Sequence, residues 1–272
     1  MTNKKPPLGQ HFLRHPELAR KIVACLGEGP FGTVVEIGPG KGSLTEALVS
    51  KCRRLVLVER DPKLIPQLKG RFELLGVEVF EGDARAFSLG TLLKEGERAS
   101  VVSNLPFYAQ APILMTLLEQ SFWVERMVLM FQKEVAERIM AKPSSKAYGL
   151  LSVFSQLYSS IEKGLFVPKG AFSPSPKVDA MVLVFDPYQT PKVFPKDIGY
   201  FSLLLRHLFQ SRRKTLRATL RRLGYKEALE SLSLEGAGGL STDFSKRPEE
   251  LSPEELVMLA DALQPFKTSN EP

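Results

Sequence analysis

Glu36-Ile-Gly-Pro-Gly-Lys-Gly42 sets a carboxylate two residues before three alternating glycines, Gly38, Gly40 and Gly42. Such glycines permit a tight turn and let the backbone come close to a ligand at the start of a helix. Two better-known nucleotide motifs are absent. The dinucleotide fingerprint needs glycine where Ser43 stands, and no Gly-Lys-Ser/Thr closes a phosphate loop. Alone, the segment reads as a tight strand-to-helix turn. Two acids extend it. Glu59 follows Gly42 by 17 residues, and its carboxylate suits the two hydroxyl donors of a ribose. Asp83, followed by Ala84, suits an adenine amine. Both fall where strands are expected to end, the edge at which open α/β sheets bind ligands. The set describes a ligand with an adenosine. Further along, Asn104-Leu105-Pro106-Phe107 offers a side-chain carbonyl, a backbone carbonyl, a rigid proline and an aromatic face. In isolation it reads as a polar strand end beside a core ring.

The elements that position these residues alternate. Strands are expected at Thr33–Ile37, Arg54–Glu59, Val77–Phe80, Ser100–Asn104 and Met127–Phe131. Helices are expected at Glu17–Leu26, Ser43–Ser50, Pro62–Leu75, Ala111–Gln120 and Lys133–Met140. The near-continuous apolar runs suit strands buried on both faces, and the alternation argues for a parallel sheet between helices. Ile161–Val167 and Ala180–Phe185 are two more strand-like runs, joined by a Pro-rich loop, so the sheet is expected to carry an antiparallel edge strand. After Pro187 the pattern turns helical: Ile198–Leu223, broken near Gln210-Ser211, then Glu227–Leu232 and Pro253–Leu263. The linker-like stretch at 187–196 divides the chain into a domain at 1–190 and a small all-helical domain at 191–272.

Composition excludes several classes. A chain of 272 residues suggests about two domains. With 43% hydrophobic and 25% charged residues it is expected to fold. No run approaches the ~18 uncharged apolar residues of a membrane span. The start, Met1 to Pro7, has no apolar core of a signal peptide. Cys25 and Cys52 form no metal or redox motif, and His11, His15 and His207 show no ligand spacing, so no metal is expected. A cytoplasmic protein with no membrane partner follows, and no heptad or apolar strip calls for more than a monomer. Charge is uneven. Residues 188–226 hold ten basic and one acidic side chain, whereas 227–272 hold three basic and ten acidic. Arg206, Arg212, Arg213, Lys214, Arg217, Arg221 and Arg222 follow one another with no acid between. Clustered cations of this kind suit phosphates through counterion release. The plainer alternative is a solvated helix face paired with the acidic segment beyond.

With Asn104-Leu-Pro-Phe107 in place, the sequence resembles the S-adenosylmethionine-dependent rRNA adenine dimethyltransferases, most closely the small-subunit branch. The likeness covers nearly the whole chain. Gly9-Gln-His-Phe-Leu13, the glycine loop, Glu59, Asp83-Ala84, Gln132 to Arg138, Lys146-Ala-Tyr-Gly149, Phe172 to Asp179, Phe209 to Leu216 and Arg247 to Leu251 follow the family's order. Two positions depart from it: His11 stands where the family usually has Asn, and Phe107 where it usually has Tyr. The resemblance implies a Rossmann-like class I methyltransferase sheet, mostly parallel, with a helical RNA-binding C-terminal domain. It implies S-adenosylmethionine as cofactor, held by Gln10, His11, Leu13, Glu36, Gly38, Gly40, Gly42, Glu59, Asp83, Ala84 and Asn104. It implies catalysis at Asn104, Leu105, Pro106 and Phe107, and stacking of an extruded base on Phe107 and Phe172. The implied substrate is two adjacent adenosines near the 3′ end of small-subunit rRNA, in an immature small ribosomal subunit.

The chemistry fits these residue types. The exocyclic amine of adenine is a poor nucleophile because its lone pair is delocalised into the ring. The Asn104 side-chain carbonyl and the Leu105 backbone carbonyl can accept its two hydrogens and favour a pyramidal nitrogen. Pro106 helps hold that backbone, and Phe107 can stack on a base taken out of its helix. Three alternatives remain. One is a large-subunit rRNA dimethyltransferase of the macrolide-resistance type. Another is a DNA adenine methyltransferase, disfavoured because those typically use an acid in place of Asn104. The third is a ribosome-assembly factor whose binding outweighs its catalysis.

Overall fold

The computed structural model describes residues 11–190, 193–235 and 243–266. Its strands are β1 (Phe12–Leu13), β2 (Phe31–Ile37), β3 (Cys52–Glu59), β4 (Glu78–Glu81), β5 (Ala99–Asn104), β6 (Val124–Gln132), β7 (Ser159–Val167), β8 (Phe172–Ser173) and β9 (Ala180–Pro187). Seven form one sheet in the order β4-β3-β2-β5-β6-β9-β7, and β1 pairs with β8 alone. Strands β2 to β6 are parallel, and β9 runs antiparallel to both neighbours. The antiparallel strand expected at the edge is therefore one place in. β9 inserts between β6 and β7, so it is hydrogen-bonded on both sides, as its nearly unbroken burial requires.

Helices α1 (Pro16–Ala24), α2 (Ser43–Leu48) and α3 (Ile65–Phe72) lay Ile22, Leu44, Leu48, Leu68 and Phe72 into one core cluster with Val34, Leu57 and Val102 of the strands. The alternate strand residues Val35, Val56, Val101 and Leu129 are equally buried. Both faces of the sheet are covered, which is why its strands are continuous apolar runs. Helices α4 (Gln110–Glu119), α5 (Lys133–Ile139) and α6 (Leu150–Tyr158) follow, and the last has no counterpart among the helices expected from sequence. Ser152 and Ser155 are fully buried beside Val153, Phe154 and Leu157, and no residue of the helix is exposed, so no polar face marks its period in sequence. Ser152 Oγ donates to the Arg138 carbonyl and accepts from the Gly149 N–H, which accounts for its burial.

The chain divides into two compact units, residues 1–137 with 158–189, and residues 138–157 with 190–272. The boundary at 189–190 falls within the linker read from sequence, but residues 138–157 group with the later segment. Within that unit, α7 (Ile198–Gln210), α8 (Leu216–Arg222), α9 (Lys226–Glu235) and α10 (Pro253–Leu263) are the main helices, and three of them open on side-chain caps. The Asp197 carboxylate accepts from Tyr200 N–H, and Thr215 Oγ1 accepts from Ala218 N–H. Ser252 and Glu255 bond each other's main chain, a capping box. The expected break near Gln210-Ser211 is the α7–α8 joint. Phe154 of α6 meets Phe201 of α7 edge-on at 5.6 Å, tying the early segment to this unit.

Candidate active site

Register sets the site. Ile37 pairs with Ser103, and the Ser103 hydroxyl donates to the Ile37 carbonyl at 2.7 Å, so β2 and β5 end level. Gly38 N–H continues the ladder to Val58, and Gly82 N–H to Glu59. Four chain segments thus leave the sheet at one edge and, with residues 11–13, line a cleft that is partly open to solvent. His11, Leu13, Glu36, Gly38, Gly40, Glu59, Asp83, Ala84, Asn104, Leu105, Pro106 and Phe107 all line it. Gln10 lies outside the described residues. Gly42 is the N-cap of α2 and does not line the cleft; its φ is 82°, and having no Cβ it lets the Phe72 ring pack where one would be.

Gly40 is also closely fitted. Its φ is 58°, and an added Cβ would meet the Phe12 ring at 2.8 Å. Its N–H donates to Glu59 Oε2 at 3.1 Å, while Glu59 Oε1 accepts from the Arg60 and Asp61 N–H groups. Three backbone donors hold this buried carboxylate, and a carboxylate's roughly four lone-pair positions leave one to spare. Glu36 is also buried and accepts from Thr45 Oγ1 at 2.6 Å. Burial, with a smaller push from Glu59 and against the Thr45 bond, raises its pKa to about 8. Asp83 behaves oppositely. Arg85, which bonds it through side chain and backbone, and then Arg60 hold its pKa down to about 2. Its carboxylate already pairs with two guanidinium groups.

Asn104 ends β5. Its Nδ2 donates to the His11 carbonyl at 2.9 Å, which fixes the amide and leaves Oδ1 with no partner among the described residues. The His11 ring lies 5.1 Å from the Phe107 ring, tilted by 42°, and its Nδ1–H donates to the Pro174 carbonyl at 2.7 Å. The two positions that depart from the family pattern therefore pack on each other. Phe107 is half-buried in the cleft wall. Phe172 is not brought to the cleft. It pairs with Leu13 in the β1–β8 ladder, and its ring, 1% exposed, packs into the core cluster. The expected second stacking face is thus a core ring that secures β1.

Sequence reading missed Arg60 and Tyr108, which also line the cleft. Arg60 Nη1 donates to the Tyr108 hydroxyl at 3.2 Å. Each directly follows a residue that was singled out, which was the available signal. In the second unit, Arg206, Arg213, Lys214, Arg217, Arg221 and Arg222 are exposed. Arg212 is not. It is half-buried, pairs with Glu249 at 2.8 Å and donates to the Lys146 carbonyl at 3.0 Å.

The model of the family described as ribosomal RNA adenine dimethylase matches residues 1–250. The chain belongs to this family. It is 41% identical over 261 residues to ribosomal RNA small subunit methyltransferase A of Acidobacterium capsulatum, covering 96% of this chain and 91% of that one. The protein of the same name from Geobacter metallireducens is 39% identical, with 94% of each covered. Among solved structures, a dimethyladenosine transferase from Plasmodium falciparum superposes with a TM-score of 0.75 at 25% identity, over 94% of this chain and 97% of that one. The 23S rRNA methyltransferase ErmE shares the fold, with a TM-score of 0.64 at 23% identity, over 93% and 99%. This dimethylase-family chain is an S-adenosylmethionine-dependent methyltransferase acting on adenine of ribosomal RNA.

Proposed function

We propose that the protein dimethylates the exocyclic amines of two adjacent adenosines near the 3′ end of small-subunit rRNA, in immature small ribosomal subunits of the cytoplasm. One observation carries the mechanism: Asn104 is anchored through its Nδ2, so its carbonyl oxygen is left for an amine. The names of the relatives that are 36–41% identical support the small subunit as substrate.

The residues present fit the cofactor. At Gly38, in the cleft wall, the space a Cβ would take is open, and Glu59 keeps lone-pair capacity for a ribose hydroxyl. His11, Leu13, Gly38 and Ala84 would line its binding site, and buried Glu36 would shape the floor. Asp83 would accept from the adenine amine in competition with Arg85 and Arg60. S-adenosylmethionine, when bound, supplies a methyl group on an electron-poor sulfonium. The chain's own groups orient the target. Asn104 Oδ1 and the Leu105 carbonyl accept the two amine hydrogens, Pro106 stiffens that backbone, and Phe107 stacks on the base. Stacking is worth about 1–3 kcal/mol per base. Positioning contributes most of the rate, with no nucleophilic residue and no metal required. The exposed cations between Arg206 and Arg222 would contact rRNA phosphates.

The test incubates the protein, as a monomer, with labelled S-adenosylmethionine and unmethylated small or large subunits. Nucleosides are then identified by mass spectrometry. Dimethyladenosine from small subunits alone is expected. Signal from large subunits alone would move the chain to the resistance-type substrate. Binding without transfer to either would leave an assembly factor.

A further inference from the structure

Gln110 opens α4 and is 2% exposed. A buried polar side chain needs partners, and this one joins two strand ends. Its Nε2 donates to the Leu105 carbonyl at 3.4 Å, and its Oε1 accepts from the Gln132 N–H at 3.2 Å. The reversed amide would oppose acceptor to acceptor and donor to donor, so one orientation is fixed. The bridge lies just beyond Asn104 and Met130, the last paired residues of β5 and β6. It continues the sheet where the backbones part. The bond to Leu105 is long, and a carbonyl has two lone pairs, so this oxygen can take a second donor.

We propose that Gln110 is the positioning residue that permits the second methyl transfer, by keeping the Leu105 carbonyl hydrogen-bonded once the target amine has a single hydrogen. The inference rests on Asn104 and Leu105 acting as paired acceptors, as argued above. An unmethylated amine gives one hydrogen to each. In the first transfer its lone pair forms the N–C bond, the C–S electron pair returns to sulfur, and one amine proton leaves to water. The monomethylated amine then has one hydrogen for two acceptors. Asn104 Oδ1 has no other donor among the described residues, so that hydrogen belongs there. Leu105 has a donor in reserve: Gln110 Nε2 can shorten its bond and spare the cleft an unsatisfied buried carbonyl. The second N–C bond then forms by the same exchange of electron pairs.

The experiment compares wild type with Gln110→Met, which keeps length and removes both bonds, and Gln110→Glu, which keeps the acceptor for Gln132. Monomethyl- and dimethyladenosine are followed in time on unmethylated small subunits. Binding of S-adenosylhomocysteine is measured by calorimetry on the same proteins. At neutral pH both variants should slow the second transfer roughly tenfold more than the first, the scale of one unsatisfied buried acceptor. Monomethyladenosine should accumulate while S-adenosylhomocysteine binds as to wild type. Acidification should restore dimethylation in Gln110→Glu alone, because a protonated carboxyl regains a donor. Equal slowing of both transfers, or an unchanged product ratio, would overturn the proposal, and if Gln110→Met does not fold, Gln110→Glu decides. Wild type that forms no methylated adenosine would instead overturn the paired-acceptor reading beneath it.

Discussion

The strand-end cleft and the basic stretch from Arg206 to Arg222 are both dense in functional side chains, yet they are built on opposite plans. In the cleft nearly every polar group is buried or bonded: Glu59 by three backbone amides, Glu36 by Thr45, Asn104 by His11. In the basic stretch six of seven cations are exposed. The first plan fixes atoms to fractions of an ångström, as methyl transfer requires. The second leaves cations on flexible stems, sufficient for phosphates, which reward charge more than exact geometry. Changes in the cleft should therefore alter rate and stability, and changes in the stretch should alter affinity and its salt dependence.

The sharpest break is Asn104→Ala. It removes the oriented carbonyl, and the rate of transfer from a bound complex should fall by about 10²-fold or more, the scale of losing one preorganised polar group. Binding to small subunits should change little. Single-turnover kinetics beside a subunit-binding assay separates the two; equal losses in both would erase the distinction between the regions.

Much of this contrast could be read in the sequence, and the reasons differ by residue. The strand ends were legible because buried parallel strands are apolar runs, and Ile37, Glu59 and Asn104 end them. The helical character of the later segment was legible from Leu and Arg spacing. Most of what escaped depends on interactions made across long sequence separations. Phe172 looked like a stacking ring, but its pairing with Leu13 turns it into the core. Gln110 stands one residue before the helix expected at Ala111–Gln120, and nothing marks it until the ends of β5 and β6 are brought beside it. Asp83 looked open, and two arginines occupy it. Residues 138–157 looked like part of the sheet domain because in sequence they lie between two of its strands, β6 and β7.

Glu36 tests the cleft through stability. Its pKa rises from near 4.5 to about 8 on folding, so the folded chain holds a proton that the unfolded chain has released. The stabilisation is fully present below about pH 4.5 and is lost as pH rises through about 8. Across that window wild type should lose stability relative to Glu36→Gln, by at most about 1.4 kcal/mol per pH unit. Glutamine keeps an acceptor for Thr45 and has no charge to bury. Denaturant unfolding of both proteins at several pH values checks this; a constant difference would mean that Glu36 titrates as an exposed acid does.

In the basic stretch, replacing Arg213, Lys214 and Arg217 together by Ala should weaken small-subunit binding roughly tenfold near physiological salt. The slope of log affinity against log salt should shrink by about 2, near 0.7 for each single-strand phosphate no longer neutralised. Transfer within the bound complex should change much less than affinity. An unaltered slope would place the phosphate-binding surface elsewhere on the protein.

Arg212 gives the smallest effect and the finest discrimination, because it sits in the basic stretch but is built like a cleft residue. Its guanidinium spans Glu249 and the Lys146 carbonyl, and only about a third of the side chain is exposed. Those bonds join the segment after α7 to two others of its own unit, so the cation's charge is already answered within the protein. Arg212→Ala should then cost about 1 kcal/mol of stability, the upper range for a partly exposed ion pair, and leave the salt slope of binding where it was. Arg213→Ala, one residue away and exposed, should do the reverse. If Arg212→Ala lowers the slope as Arg213→Ala does, the Glu249 pair opens when rRNA binds, and Arg212 belongs with its exposed neighbours.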